Sequence, residues 1–181
     1  MADAAPSATS VVEHEIRVAA SPETVFAYFT DPGRMVQWMG AEATLDPRPG
    51  GACRIAFRPP RELSAILDAG FGPEHQALVA ADPDAPRVMS GEFVEVDPPR
   101  RIAFTWGWER ELYAVPPQST AVEVTFTPDG DETVVHLVHR RLPPAAVPLH
   151  QGGWTHYLPR LASAAAGEDP GLDPWQVEAG S

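Results

Sequence analysis

From Arg87 to Leu142 the chain carries four successive strand-like runs, three of them with apolar residues in phase, and this constrains its fold more than any other feature. The runs are "RVMSGEFVEVD", "RIAFTWGWE", "TAVEVTFT" and "TVVHLVHRRL", with turns at Pro98-Pro99 and at "PDGDE". A period of two residues places alternate side chains on opposite faces of a strand. Ile102, Phe104, Trp106 and Trp108 therefore share one face, as do Val122, Val124 and Phe126, and Val135, Leu137 and His139. Two earlier runs, "AEATLDPR" and "ACRIAFR", turn at "PGG", and they put Cys53, Ile55 and Phe57 opposite Arg54 and Arg58. Six runs with tight turns and no long helix between them predict an antiparallel meander. A seventh strand comes first: "VVEHEIRV" places Val12, His14, Ile16 and Val18 on a common face.

Helices bracket the meander. In "SPETVFAYFT", Ser21 is an N-cap and Pro22 suits the first helical position, with Val25, Phe26 and Phe29 inward. "DPGRMVQWMG" repeats the device with Asp31 and Pro32, points Met35 and Trp38 inward, and stops at Gly40. The stretch "HQGGWTHYLPRL" carries the last helix. At ~100° per residue, Val147, His150, Trp154, Tyr157, Leu158, Leu161 and Ala165 fall in one arc. Gly152, His156 and Arg160 lie outside it, so His156 is read as solvated. Pro159 lies nearly opposite the stripe, where it bends the helix outward. Gly152 and Gly153 each cost about 1 kcal/mol of helix propensity relative to alanine. Either close packing or room for a ligand beside Trp154 offsets that cost.

Residues 59–86 are too long for a hairpin turn. "RELSAILDA" and "PEHQALVAA" read as two short helices inserted at its tip. The organisation predicted is a disordered 1–10, a domain over 11–167 carrying the 59–86 insertion, and a loop-like tail over 168–181 in which Trp175 is a candidate for docking.

Composition removes several classes of function. The formal charge is −12, from 13 basic and 25 acidic residues, and every basic residue is Arg. Nucleic acid and anionic membrane surfaces need a positive field, so neither is an expected partner. Cys53 is the single cysteine, which excludes a disulfide framework or a multi-cysteine metal site. No run of ~20 apolar residues is present, and the first ten residues carry no basic-then-apolar signal. A cytoplasmic location is the expectation.

These stretches together resemble a known family. "ASPETVFAYFTDPGRMVQWMG", "DPRPGGACRIAF", "GEFVEVDPPRRIAFTW", "VHLVHRRLP" and "HQGGWTHYLPRL" follow in the order seen in bacterial homologues of the heat-shock-protein ATPase activator, within the START-like (SRPBCC) superfamily. The resemblance covers roughly residues 11–58 and 87–166. It implies an α+β helix-grip fold: a curved antiparallel sheet of six to seven strands gripping a long C-terminal helix, with a cavity between them. It also implies that the Gly-Trp pair of the last helix serves packing, and its name brings in stress response. The chain departs from the pattern in the 59–86 insertion, in Cys53 and Ile55, and in Pro159. The insertion sits where it would cover the cavity mouth or form a homodimer contact.

The ligand-binding candidates are Trp38, Phe57, Phe93, Trp106, Trp108, His139, His150, Trp154, Tyr157, Leu158 and Leu161. For each aromatic residue the alternative is plain core packing. Trp108, at a strand end, and Tyr157, whose hydroxyl needs a partner, favour a pocket. His139 is the candidate catalytic base, and with His150 a candidate acid–base or metal pair. A hydrogen-bonded core histidine at 139 and a rim histidine at 150 are the favoured reading, because no third ligand or nucleophile is identifiable. His14 carries the same reading, and His136 is read as solvated. Glu42 and Glu92 are strand carboxylates read as solvated, with Gly91 as a candidate bulge. Cys53 reads as an inward-facing small hydrophobe. A binder of a small apolar molecule, without cofactor or metal, is preferred over a cyclase, aromatase or hydrolase-like enzyme and over a module acting on a chaperone ATPase.

Overall fold

In the computed structural model, which describes residues 10–58, 73, 77 and 80–176, seven strands form one antiparallel sheet. They are β1 (Ser10–Val18), β2 (Glu42–Leu45), β3 (Ala52–Phe57), β4 (Arg87–Asp97), β5 (Arg101–Trp106), β6 (Thr120–Asp129) and β7 (Glu132–Leu142). The order across the sheet is β1-β7-β6-β5-β4-β3-β2. β2 to β7 are thus the meander predicted from the alternating runs, and β1 closes onto β7 with Ile16 opposite Val135 and His14 opposite Leu137. The two short helices expected within 59–86 fall almost wholly outside the described residues, as does the expected role of that insertion.

The helices begin where the caps predict. α1 (Pro22–Thr30) has the Ser21 hydroxyl accepting from the Thr24 N–H. α2 (Pro32–Met35) has the Asp31 carboxylate accepting from the Arg34 N–H at 2.9 Å. Each device satisfies a backbone donor that a helix start leaves free. Val25, Phe26, Phe29, Met35 and Trp38 are all buried. Gly40 ends the segment at φ +80. The long α3 (Val147–Ala165) runs close alongside β1 and touches α1. Its buried residues are His150, Trp154, Tyr157, Leu158, Leu161, Ala164 and Ala165, while Pro159 is exposed. The predicted stripe is therefore the gripped face.

Two glycines sit where another backbone segment approaches closely. Gly91 is a close-approach site rather than a bulge: a Cβ there would meet the Thr105 carbonyl oxygen at 1.8 Å. The register shift between β4 and β5 lies instead between Phe93 and Glu95. Gly107 presses equally closely on Pro116 and holds the segment after β5. That segment forms a short 3-10 turn, Glu109–Ala114, which the strand pattern did not announce.

Candidate functional site

A partly open cavity of about 80 Å3 lies between α3 and the end of the sheet. Leu149, His150, Gly153, Trp154 and Tyr157 come from α3, and Phe57 and Arg58 from the end of β3. Trp106 closes it from the end of β5 and Trp108 from just before the 3-10 turn, with Tyr113 of that turn and Met39 completing the wall. The lining is overwhelmingly apolar. Its rings meet at tilted and edge-on angles: Phe57 lies 5.6 Å from Trp108 and 5.8 Å from Tyr157, and Trp106 lies 5.3 Å from Trp154. Arg87 is the buried cation of this wall, 7% exposed, with its guanidinium over the Tyr113 ring at 5.6 Å.

Two histidines stand behind and beside the cavity with ring centroids 5.1 Å apart. The Trp154 indole N–H donates to His139 Nδ1 at 3.2 Å. An indole can only donate, so His139 Nδ1 bears a lone pair and its proton sits on Nε2. That Nε2–H donates to Thr120 Oγ1 at 2.8 Å, and the Thr120 hydroxyl donates to the Trp106 carbonyl at 2.7 Å. His150 is the mirror case. The Trp108 indole N–H donates to its Nε2 at 3.1 Å, so the proton sits on Nδ1 and goes to the Ala146 carbonyl at 2.7 Å. Both imidazoles are therefore neutral. Burial pushes His139 well below the usual histidine range, helped by His150. Burial likewise pushes His150 down to about 4, against the opposing pull of the Ala146 carbonyl.

This arrangement sorts the predicted residues. Phe57, Trp106, Trp108, His150, Trp154 and Tyr157 do line the cavity. Trp38, Phe93, Leu158 and Leu161 do not; they are at most 2% exposed and belong to the packed core. Trp38 donates its indole N–H to the Tyr28 carbonyl at 3.0 Å and tilts against Phe29. His139 is fully enclosed and is not on the cavity wall, the position of a hydrogen-bonded core histidine. With all four ring nitrogens of His139 and His150 hydrogen-bonded, the pair also has no lone pair to offer a metal. Glu42 and Glu92 are not on the wall either. Cys53 is buried, which raises its thiol to about 12 and leaves it inert.

Four further residues depart from the sequence reading. Gly152 and Gly153 are not close-packing sites: a Cβ on either meets nothing within 4 Å, and Gly153 faces the cavity. Tyr113 carries no sequence signal, because no period marks a short 3-10 turn. His156 is not solvated. The Trp175 ring stacks on it at 3.8 Å and 9°, and its Nε2 pairs with Asp173 at 2.8 Å. Trp175 and Gln176 thereby join the cavity wall, so the tail docks. A tail aromatic following a helix that presents an off-stripe histidine was the only available signal.

Comparison with known proteins places the chain among relatives. The family described as Activator of Hsp90 ATPase homolog 1-like protein matches residues 19–64 and 76–166, and the break falls within the 59–86 stretch. No curated protein matches the chain. Among solved structures, the AHSA1-like protein RHE_CH02687 from Rhizobium etli is 34% identical, covering 96% of this chain and 92% of that one, with a TM-score of 0.61. CV1439 from Chromobacterium violaceum is 20% identical over 86% of this chain and 96% of that one, with a TM-score of 0.64. CalU16 from Micromonospora echinospora is 21% identical over 90% of this chain and 80% of that one, with a TM-score of 0.61. The last two likenesses show the fold.

Proposed function

The chain belongs to the family of Activator of Hsp90 ATPase homolog 1-like proteins, and from that premise we propose that it binds a small apolar or aromatic molecule between α3 and the sheet. The observation that carries this reading is the wall of the cavity, built from the rings of Phe57, Trp106, Trp108, Trp154 and Tyr157. Apolar ligand surface buried there contributes about 25 cal/mol per Å2. His150, the imidazole on the wall, is neutral and has its lone pair engaged by Trp108, so it adds little polarity. Binding is favoured over cyclase, aromatase or hydrolase chemistry because that alternative rests on His139, which has no contact with the cavity. A chaperone-ATPase role calls for a continuous exposed apolar patch. Among the described residues the exposed large hydrophobics are Val11, Val36, Val94 and Leu172, one each from β1, the segment after α2, β4 and the tail.

The test is a titration of purified, solvent-extracted protein with indole and with the neutral dye N-phenyl-1-naphthylamine, beside mass spectrometry of the extract. Saturable binding at one site, abolished by Gly153→Leu, is the expected result. An extract without any organic molecule, together with no saturable binding of either probe, overturns the reading.

A further inference from the structure

The cavity is closed on one side by a piece of the chain that is itself a flat aromatic group. Trp175 lies on the His156 ring at 3.8 Å with the planes only 9° apart, and meets Tyr157 edge-on at 5.6 Å. Short polar links hold it there. Asp173 accepts from His156 Nε2 at 2.8 Å and from the Trp175 backbone N–H at 3.0 Å. Gln176 Oε1 accepts from the Arg58 N–H at 2.7 Å, tying the tail to the end of β3. Arg160 donates to the carbonyls of Pro170 and Gly171. Yet Trp175 is only half-buried, whereas Trp106 and Trp154 on the opposite wall are 4% and 3% exposed.

Size gives this arrangement a consequence. An apolar cavity of about 150 Å3 accepts benzene, and the partly open cavity here, with Trp175 in place, has about 80 Å3. A fused planar ring system is not held wholly within that volume unless a wall moves. The walls from the sheet and α3 are fixed by core packing, and the tail wall is fixed by surface contacts. The half-buried aromatic side chain of the wall is thus the part shaped like the expected ligand.

We infer that Trp175 is an internal competitor: the His156–Tyr157 surface is a stacking subsite for a planar aromatic ring, and ligands larger than the space Trp175 leaves bind by displacing it and taking its place. The inference rests on the proposed binding function and specifies its ligand class. A competitor that occupies the site lowers apparent affinity by the fraction of molecules left open.

The experiment titrates N-phenyl-1-naphthylamine into the full chain and into its Trp175→Ala, Asp173→Ala, Gly153→Leu and Trp175→Ala/Gly153→Leu variants, each first shown by thermal melting to be folded. Trp175→Ala binds the dye about tenfold tighter than the full chain, Asp173→Ala shows a smaller gain, and the double variant loses the gain. Equal affinity in the full chain and Trp175→Ala, with binding still blocked by Gly153→Leu, overturns the inference and leaves the binding function standing. A gain that persists in the double variant also overturns it, because the dye then sits outside the cavity. No binding to any variant overturns both.

Discussion

The Trp154 indole N–H donates to Nδ1 of His139 at 3.2 Å, joining the middle of α3 to the inner face of β7. Because the indole has no lone pair to offer, this one contact sets the tautomer and charge of a histidine with no solvent exposure. The same logic, with Trp108 as donor, sets His150.

The two histidines are therefore opposite tautomers, with the proton on Nε2 in His139 and on Nδ1 in His150. Long-range proton–nitrogen NMR near pH 7 distinguishes the forms by which ring nitrogen has the shift of a protonated site. Finding the same tautomer in both, or a charged imidazolium in either, contradicts the hydrogen-bond assignment.

Acid destabilises the fold over a defined window. Burial lowers His139 and His150, and to a lesser degree His14, below the usual value of 6.5. The unfolded chain then binds more protons than the folded one as pH falls below about 6.5, so stability rises with pH in this range. The contribution is full above 6.5 and is lost as pH falls, in the case of His150 down to about 4. Each fully discriminating histidine changes stability by about 1.4 kcal/mol per pH unit. Urea unfolding midpoints should decline from pH 6.5 to 4.5, and His150→Gln should flatten the decline. An unchanged slope in that variant removes His150 from the account.

Breaking the network at its ends costs folding energy. Thr120→Val leaves the His139 Nε2–H without an acceptor, and Trp154→Phe leaves Nδ1 without a donor. An unsatisfied buried group costs about 1–3 kcal/mol, and Trp154→Phe adds a loss of packing. Denaturant unfolding measures both; a change below ~0.5 kcal/mol, the usual range for surface substitutions, counts against the network's importance.

The helical glycines separate stability from binding. Gly152→Ala and Gly153→Ala meet no neighbour within 4 Å, and each should stabilise α3 by up to about 1 kcal/mol. Only Gly153→Ala narrows the cavity, so only that variant should weaken the binding of indole. By contrast, Gly107→Ala drives a Cβ to 1.8 Å from the Pro116 carbonyl. Its loss should exceed the ~0.5–3 kcal/mol of an ordinary substitution, read as a drop in melting temperature.

Much of the architecture follows from local pattern. Short apolar-rich runs bounded by turns, several of them alternating, marked all seven strands, Ser21 and Asp31 marked two helix starts, and the 3.6-residue period selected the face of α3 that the sheet grips. These features depend on residues close in sequence, so they can be read without coordinates. The period identifies the face of an element and is silent on depth. Phe93 and Trp106 share the inward side of neighbouring strands, yet Phe93 packs in the core and Trp106 lines the cavity.

The sequence by itself determined the strands, the caps, the buried stripe of α3, the inert Cys53 and a charge unsuited to nucleic acid. Only the tertiary structure decided which aromatic residues face a void. Its long-range contacts also enclosed His139 between Thr120 and Trp154, brought Tyr113 to the wall, and laid Trp175 on His156. The reason is physical. A cavity is the space that packing leaves between elements distant in the chain, and the partner of a buried polar group is set by where those elements meet.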